Sequence, residues 1–153
     1  MSTPEERLAE LGLSVPEVAK PVAVYVPAVR SGNQVFTSGQ LPMRKGELLA
    51  TGKVGAGVTE EEAYACAQQC ALNAIAAIKS QAGDLASVRI VKVVVFVASN
   101  PNFTGQPGVA NGASELFGNV FGELGIHARS AVGVPVLPLD SPVEVEVIAE
   151  IIS

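Results

Sequence analysis

The stretch "TEEEAYACAQQCALNAIAAIKSQAGDLASVRIVKVVVFVAS" (residues 59–99) joins a helix pattern to a strand pattern and decides the fold. Its first part predicts a helix over 59–83, because Thr59 and Glu62 form a capping box and Gly83 is a stop signal. Small residues, mostly alanine, recur at helical spacing, so this helix can lie close to a sheet. The valine-rich part that follows is apolar on both faces after its lysine, which predicts a strand covered on both sides.

On the N-terminal side, the sequence predicts a short helix and then a hairpin. Thr3 and Glu6 form another capping box, and Gly12 stops this first helix, so residues 1–20 are interpreted as an N-terminal helical extension. Two short strands follow, and the "RSGN" between them has the composition of a hairpin turn. A loop-like region with one short strand near 47–50 leads to the long helix.

On the C-terminal side, the loop-like "NPNFTGQPG" precedes a second amphipathic helix over 111–125, and strands are predicted near 129–136 and 143–152. The whole chain, 1–153, is interpreted as a single domain. The order of elements predicts an α+β fold, with one sheet and two helices packed on one of its faces. The other face also carries valine and isoleucine, and a second copy of the chain is the simplest cover for it.

The composition favours an assembly of several chains. Of the 153 residues, 48% are apolar and 16% are charged, whereas an average domain has about 25% charged residues. We therefore expect extra apolar surface to be buried between subunits. No apolar run approaches the ~18 residues of a membrane span. The net charge of −5 argues against a nucleic-acid partner, which would require a basic patch.

The termini and the cysteines predict a cytoplasmic protein. The charged start "MSTPEERLAE" does not have the pattern of a signal peptide. Cys66 and Cys70 lie four residues apart on one helix face, a separation that disfavours a disulfide. No second pair of cysteines or histidines accompanies them, so we expect them to pack in the core and expect no metal site.

The final two predicted strands contain charged residues among small and apolar ones. If these strands form an antiparallel pair with their valine faces together, alternation puts Arg129, Ala131 and Gly133 on the same side as Glu144 and Glu146. An arginine, carboxylates and the space beside two small residues form an anion pocket. Guanidinium binds a carboxylate in a two-pronged manner, and a nearby glutamate can position or deprotonate a water molecule.

Other interpretations of these residues remain open at this point. Arg129 opposite Glu146 could be an ordinary cross-strand ion pair, and from the residues alone this structural interpretation is favoured. Ser38, beside Gly39, could be a turn serine or a nucleophile, but a nucleophile requires a base. The one histidine, His127, is far from Ser38 in sequence and is interpreted as a helix-end or interface residue.

Two blocks carry a resemblance to a known family. "YVPAVRSGNQVFTSGQLP" (25–42) and "ARSAVGVPVLPLDSPVEVEVIAE" (128–150) resemble the Rid (YjgF-type) family of reactive-intermediate imine and enamine deaminases, also labelled L-PSP endoribonucleases or translation inhibitors. The resemblance implies a chorismate-mutase-like fold and a homotrimer with a central barrel and clefts between subunits. It also implies hydrolysis of 2-aminoacrylate-type enamines and imines to 2-oxo acids and ammonia, without a metal or organic cofactor.

The resemblance also implies roles for individual residues. Arg129 matches the arginine that binds the substrate carboxylate, and Glu144 matches the glutamate that holds the attacking water. Tyr25 matches a cleft tyrosine supplied by the neighbouring subunit, Ser38 matches the cleft serine, and Gly39 begins the loop that leads away from it. The expected partners are a small 2-imino or 2-oxo acid and further copies of this chain, with no nucleic acid and no membrane.

The chain departs from the family pattern at three places. Ala131 stands where the archetype has cysteine, Gly133 stands where glutamate is usual, and "NGASELF" replaces Asn-x-x-Tyr, with Asn111 or Ser114 as possible substitutes. These changes predict a roomier pocket. They keep open a second function, a non-catalytic small-carboxylate-binding protein on the same scaffold. A ribonuclease is the least favoured alternative because the chain is acidic.

Overall fold

The structure, a computed structural model, describes residues 2–20 and 24–152. Its three α-helices are α1 (Pro4–Glu10), α2 (Glu60–Ala82) and α3 (Gln106–Phe121). In the described ranges the strands are β1 (Ala28–Ser31), β2 (Gln34–Thr37), β3 (Met43–Arg44), β4 (Glu47–Leu48), β5 (Lys53–Val54), β6 (Gly57–Val58), β7 (Val88–Ala98), β8 (Ala128–Val134) and β9 (Val143–Ile151). No helix within these ranges is long and apolar enough to cross a membrane.

One mixed sheet forms the centre of the fold, in the order β1-β2-β9-β7-β8. The parallel pair is β7 with β8, and the other neighbours are antiparallel. Helices α2 and α3 pack against each other and cover one face of the sheet, with the apolar core between the helices and the sheet. The predicted α+β architecture is therefore confirmed. Strands β3 to β6 form two small two-stranded sheets, of which only the region near β4 was predicted.

Local signals explain where the helices begin and end. Both capping boxes are present, with the backbone N–H of Glu6 bonded to Thr3 and that of Glu62 bonded to Thr59, each at 3.1 Å. α2 ends at Gly83, whose φ of +79° is in the left-handed region that favours glycine. The helix α1 is anchored on α3, because Arg7 Nη1 donates to the carbonyl oxygen of Val120 at 3.3 Å, and Leu8 of α1 is fully buried.

The start of α3 differs from the prediction. The sequence interpretation assigned residues 100–108 to a loop and began the helix at 111, but the helix already begins at Gln106 and has Pro107 in its first turn. A proline is tolerated there because the first helical N–H groups have no partner within the helix. The predicted C-terminal part, up to Gly125, is a separate 3-10 turn over Gly122–Gly125.

The expected antiparallel pairing of the last two long strands is wrong. Strand β7 lies between β8 and β9, parallel to the first and antiparallel to the second. Val93 is opposite both Arg129 and Val147, so Arg129 lies on the face that the helices cover. Phe96 is opposite Glu144, which therefore lies on the other face.

The predicted pairing was wrong because the small residues of β8, and not its valines, face the helices. Ala131 packs against the core, and Gly133 lies beneath the first turn of α3. The valines of β8 consequently point to the other face of the sheet, where Val132 is 43% exposed. The assumption that the two valine faces lie together was therefore incorrect.

The second face of the sheet is not covered by any described element of the chain. We call it the open face. Its partly or largely exposed apolar side chains are Val29, Phe36, Val94, Phe96, Val132 and Ile148. Glu144 and Glu146 lie among them and are half-buried. An apolar surface of this kind is typical of a protein–protein interface.

A glycine allows the two large helices to approach closely. A Cβ atom built on Gly112 would lie 2.2 Å from the backbone carbonyl oxygen of Tyr64 in α2. Backbone cannot move away as a flexible side chain can, so alanine at this position would push the helices apart. Gly118 in the same helix is exposed and has nothing within 4 Å of its Cβ position.

We therefore expect Gly112→Ala to destabilise the protein by about 1–3 kcal/mol, the usual cost of overpacking. The matched control Gly118→Ala is expected to stabilise it by about 0.5–1 kcal/mol, because alanine has the higher helix propensity. Urea unfolding at one fixed chain concentration measures both. Equal midpoints for Gly112→Ala and the wild type would show that the helices do not pack as described.

Candidate functional site

Three of the candidate residues form one cluster around Arg129, which we call the arginine cluster. The Nη1 atom of Arg129 donates hydrogen bonds to Asn111 Oδ1 at 2.8 Å and to Ser114 Oγ at 3.1 Å. Asn111 and Ser114 are three residues apart in α3 and so lie on one helix face, which is the face turned to β8. Either residue was expected to replace the missing Asn-x-x-Tyr pattern, and the structure places both against the arginine.

The hydrogen bonds continue from Ser114 to the single histidine of the chain. Ser114 Oγ lies 2.9 Å from His127 Nε2, and His127 Nδ1 lies 2.6 Å from the carbonyl oxygen of Gly125. The imidazole also packs edge-on against Phe117, with ring centroids 5.9 Å apart and an interplanar angle of 82°. The sequence interpretation left His127 out of the site, although its position two residues before Arg129 was a usable signal.

Arg129 has no carboxylate partner among the described residues. The ion pairs in those residues are Lys53 with Asp140 and Lys79 with Glu5. The alternative of a cross-strand ion pair with Glu146 is wrong, because Glu146 lies on the open face and is separated from β8 by β7. The guanidinium is half-buried, is held through Nη1, and forms no described hydrogen bond through Nε or Nη2.

Three other candidate residues line a separate cleft of about 910 Å³, which we call the glutamate cleft. Tyr25, Gly39 and Glu144 line it, and Ser38 immediately precedes Gly39. Tyr25 is 57% exposed, so it is not the core aromatic that a strand position by itself would favour.

The path of the chain next to β9 explains this arrangement. The ladder between β2 and β9 stops near Thr37, whose Oγ1 accepts a hydrogen bond from Val147 N at 3.0 Å. It resumes at Gln40, which forms a two-bond bridge with Val145. Ser38 and Gly39 lie between these points. A Cβ atom on Gly39 would be 2.7 Å from Glu144 Oε2, so glycine permits the glutamate to approach the backbone closely.

Ser38 does not have the surroundings of a nucleophile. Its hydroxyl donates to the carbonyl oxygen of Val26 at 2.5 Å, which fixes the neighbouring chain segment. The histidine that could have served as its base is bonded to Ser114 and Gly125 instead. The Ser–His interpretation is therefore not supported, and the Ser38 hydroxyl instead holds the chain segment at Val26.

Burial alters the acidity of Glu144. Desolvation raises the pKa of this carboxyl above its ordinary value, and the negative charge of Glu146 raises it further. Glu146 is two residues along β9 and points to the same open face. A carboxylate with a raised pKa is a better proton acceptor than an exposed one, which suits a group that activates water.

The arginine cluster and Glu144 do not meet within one chain. Two strand spacings and the register offset put the Cα atoms of Arg129 and Glu144 roughly 14 Å apart, on opposite faces of the sheet. Tyr25 was expected to join them from a neighbouring subunit, but it lines the same cleft as Glu144. Within one chain, therefore, Glu144 and Tyr25 share one cleft, and Arg129 lies apart from both.

The side chain of Gln106 lies beside Gly133. A Cβ atom there would be 2.8 Å from Nε2 of Gln106, so the Gln106 side chain occupies the space. That amide is held by the carbonyl oxygen of Phe103 at 2.8 Å and by Ser99 Oγ at 3.3 Å. Gln106 was missed because the sequence interpretation placed it in a loop.

In the described part of the chain, no group of three or more His, Cys, Asp or Glu side chains is placed to hold a metal ion. Cys66 and Cys70 are free and buried in α2, as expected for core residues. Burial raises the pKa of the Cys66 thiol to about 11, so this thiol is a poor nucleophile.

Comparisons with known proteins agree with this fold. A sequence model described as "YjgF/chorismate_mutase-like, putative endoribonuclease" matches residues 5–151. Protein TCP17 of Trypanosoma cruzi is 47% identical, over 94% of this chain and 91% of that protein. A 2-iminobutanoate/2-iminopropanoate deaminase of Dermatophagoides farinae is 32% identical, over 91% and 94%. The crystal structure of a "putative endoribonuclease" from Shewanella oneidensis superposes with a TM-score of 0.94 at 38% identity, over 98% and 100%.

The electrostatic coupling on the open face gives a testable shift. Replacing Glu146 with glutamine removes a nearby negative charge, so the pKa of Glu144 is expected to fall. Carbon-13 NMR titration of the glutamate carboxyls measures it, and Glu150→Gln, further along the same strand, is the control. An unchanged titration of Glu144 in Glu146→Gln would contradict the coupling.

The same raised pKa has a consequence for stability. Because folding raises the pKa of Glu144, its protonation stabilises the folded state. That contribution is complete below the unfolded-state pKa and is lost as the pH rises through the folded-state pKa.

Proposed function

Because this chain belongs to the YjgF/chorismate mutase-like family, we propose that it is a cofactor-free hydrolytic deaminase. Its substrates are small 2-imino and enamino acids of the 2-aminoacrylate type, and its products are 2-oxo acids and ammonia. The active form is a homotrimer in the cytoplasm, with each site between two subunits. The Dermatophagoides relative, named for 2-iminobutanoate and 2-iminopropanoate, supports this substrate class.

The observation that carries the proposal is the state of Arg129. This side chain is half-buried, oriented by two neutral hydrogen-bond partners, and without a carboxylate partner among the described residues. A guanidinium without an acidic partner favours an anion, and its planar geometry matches a carboxylate with two parallel hydrogen bonds. Every 2-imino acid carries a carboxylate next to its reactive carbon.

The separation of the two clusters supports a site between subunits. Arg129 lies on the edge strand β8, and Glu144 lines a cleft on the far side of β7. In a ring of identical chains, the two subunits that meet at an interface contribute different surfaces to it. The β8 edge of one copy can therefore meet the glutamate cleft of the next. The open face, with its apolar side chains, then turns toward the centre of the ring.

The chemistry follows from these positions. Arg129 of one subunit binds the carboxylate of the iminium form of the substrate. Glu144 of the next subunit accepts a proton from a water molecule, whose oxygen attacks C2. The proton passes from Glu144 to the nitrogen of the resulting carbinolamine. The C–N bond then breaks while Glu144 takes the proton of the C2 hydroxyl, whose oxygen becomes the carbonyl oxygen. The departing ammonia accepts that proton and leaves as ammonium. Tyr25, Ser38 and Gly39 shape the cleft around the water.

A second candidate function is a small-carboxylate-binding protein without turnover. The specific observation in its favour is that Ala131 and Gly133 carry no reactive group and Gln106 fills the adjacent space. It uses the same arginine cluster, so binding of 2-oxo acids does not separate the two functions. Only the rate of imine hydrolysis does.

We expect Arg129→Ala to lower kcat/KM for imine hydrolysis on the order of 100-fold, because truncating one partner of a desolvated charge pair costs several kcal/mol. Arg129→Lys retains the charge without the fork and is expected to be intermediate. An amino-acid oxidase generates the 2-imino acids, and semicarbazide competes for them. Wild-type activity in Arg129→Ala would refute the assignment, and a wild type that never exceeds background would favour the binding protein.

Sharing of the site between subunits predicts complementation. Arg129→Ala and Glu144→Gln chains, co-expressed with different tags and purified by both, form mixed trimers. In any mixed ring, one of the three interfaces pairs an intact arginine with an intact glutamate. Activity is therefore expected to return to about one third of the wild-type value, while each variant alone keeps only a small residual activity. Inactive mixed trimers would show that both residues serve the site from one chain.

A further inference from the structure

We infer that Ser114 and His127 are positioning residues that determine which edge of the Arg129 guanidinium is presented to the substrate. This inference rests on the proposed role of Arg129 as the carboxylate-binding group. His127 acts through Ser114, and Ser114 acts through Arg129. The connected groups run from Gly125 through His127 and Ser114 to Arg129, and we call them the relay.

The first step is the tautomer of His127. A backbone carbonyl oxygen can only accept hydrogen bonds, and that of Gly125 lies 2.6 Å from Nδ1. Nδ1 must therefore carry the proton of the neutral imidazole, which leaves Nε2 as an acceptor. Ser114 Oγ lies 2.9 Å from Nε2, so the serine hydroxyl must be the donor in that contact.

The second step is the consequence for Arg129. Because the Ser114 proton is committed to His127, the lone pairs of Oγ face Arg129 Nη1 at 3.1 Å. The other hydrogen of Nη1 is donated to Asn111 Oδ1 at 2.8 Å. Nη1 has two hydrogens, so both are used. A carboxylate must then bind through Nε and Nη2, along the side of the guanidinium and not across its end.

The third step concerns the orientation of the Ser114 hydroxyl that the relay excludes. A serine hydroxyl that is free to rotate could point its hydrogen toward the guanidinium and repel it. His127 removes this possibility, and Phe117 packs against the imidazole and limits its rotation. The arginine is thus ordered before the ligand arrives, which reduces the entropy lost on binding.

The tautomer can be observed directly. The chain has one histidine, so a tag-free, nitrogen-15-labelled sample gives one set of imidazole signals. Long-range nitrogen–proton correlations near neutral pH are expected to show a protonated Nδ1 and an unprotonated Nε2. A predominant Nε2–H tautomer would overturn the relay, because Ser114 would then be an acceptor toward the histidine.

A matched pair of substitutions separates the relay from simple packing. In His127→Gln the amide oxygen can occupy the place of Nε2 and accept from Ser114. In His127→Asn the shorter amide can reach the Gly125 carbonyl but not Ser114. We expect His127→Asn to weaken pyruvate binding about tenfold, and His127→Gln to recover most of that loss. In imine hydrolysis the change is expected mainly in KM and not in kcat.

A second pair of variants, at Ser114, tests the relay even if the histidine variants do not fold. Ser114→Ala removes the hydroxyl and is expected to weaken pyruvate binding, whereas Ser114→Thr retains it and is expected to bind more tightly than the alanine variant. Wild-type affinity for pyruvate in both His127→Asn and Ser114→Ala would overturn the inference. An equal loss of pyruvate affinity in the two members of each pair would overturn it as well.

A different experimental result would refute the proposed function. If the wild type binds no pyruvate and hydrolyses no imine, the role of Arg129 itself is wrong. If the wild type binds and Arg129→Ala does not, the role of Arg129 stands, and the variants of His127 and Ser114 decide on the relay alone.

Discussion

The parallel pairing of β7 with β8 is the constraint on which the rest of the molecule depends. A helix joins these two strands, and such a crossover returns the chain to the same sheet with the helix over one face. The helix here is α3, so the residues of β8 that point to the helix face lie on the side of the sheet that α3 covers. Arg129 is one of them and meets Asn111 and Ser114. Had β8 paired with β9, as its alternation suggested, Arg129 would have faced the carboxylates of β9.

The close contact between α2 and α3 determines the rotation of α3 about its own axis. Gly112 lies against the backbone of Tyr64, so the side of α3 that carries this glycine must face α2. Asn111 precedes Gly112 and Ser114 follows it by two positions, and these two residues therefore turn toward the edge of the sheet. A packing requirement at a residue without a side chain thus directs the two side chains that hold Arg129.

Local and non-local features of this fold differ in how far the sequence predicts them. The capping boxes at Thr3 and Thr59 and the stop at Gly83 depend on residues within a few positions of one another, and they were predicted correctly. The place of β7 between β8 and β9 depends on residues 30 or more positions apart, and alternation alone does not encode it. The valines of β8 resemble core residues because they belong to an apolar face that one chain leaves uncovered. His127 lies close to Arg129 in sequence, but its contact with Ser114 depends on how α3 packs against the sheet, which the local sequence does not reveal.

The open face also explains why two glutamates alternate with core valines in β9. Glu144 and Glu146 are half-buried in the single chain, and their proximity and burial already raise the pKa of Glu144. In the proposed trimer the open face would be covered, which would remove more water from both carboxyls. This further loss of water would raise the pKa of Glu144 in the same direction as the burial already present in the single chain. Assembly would then both complete the site with Arg129 and bring the proton affinity of Glu144 closer to that required of a base near neutral pH. A residue pattern that is costly for an isolated sheet would in this way become useful in the interface between subunits.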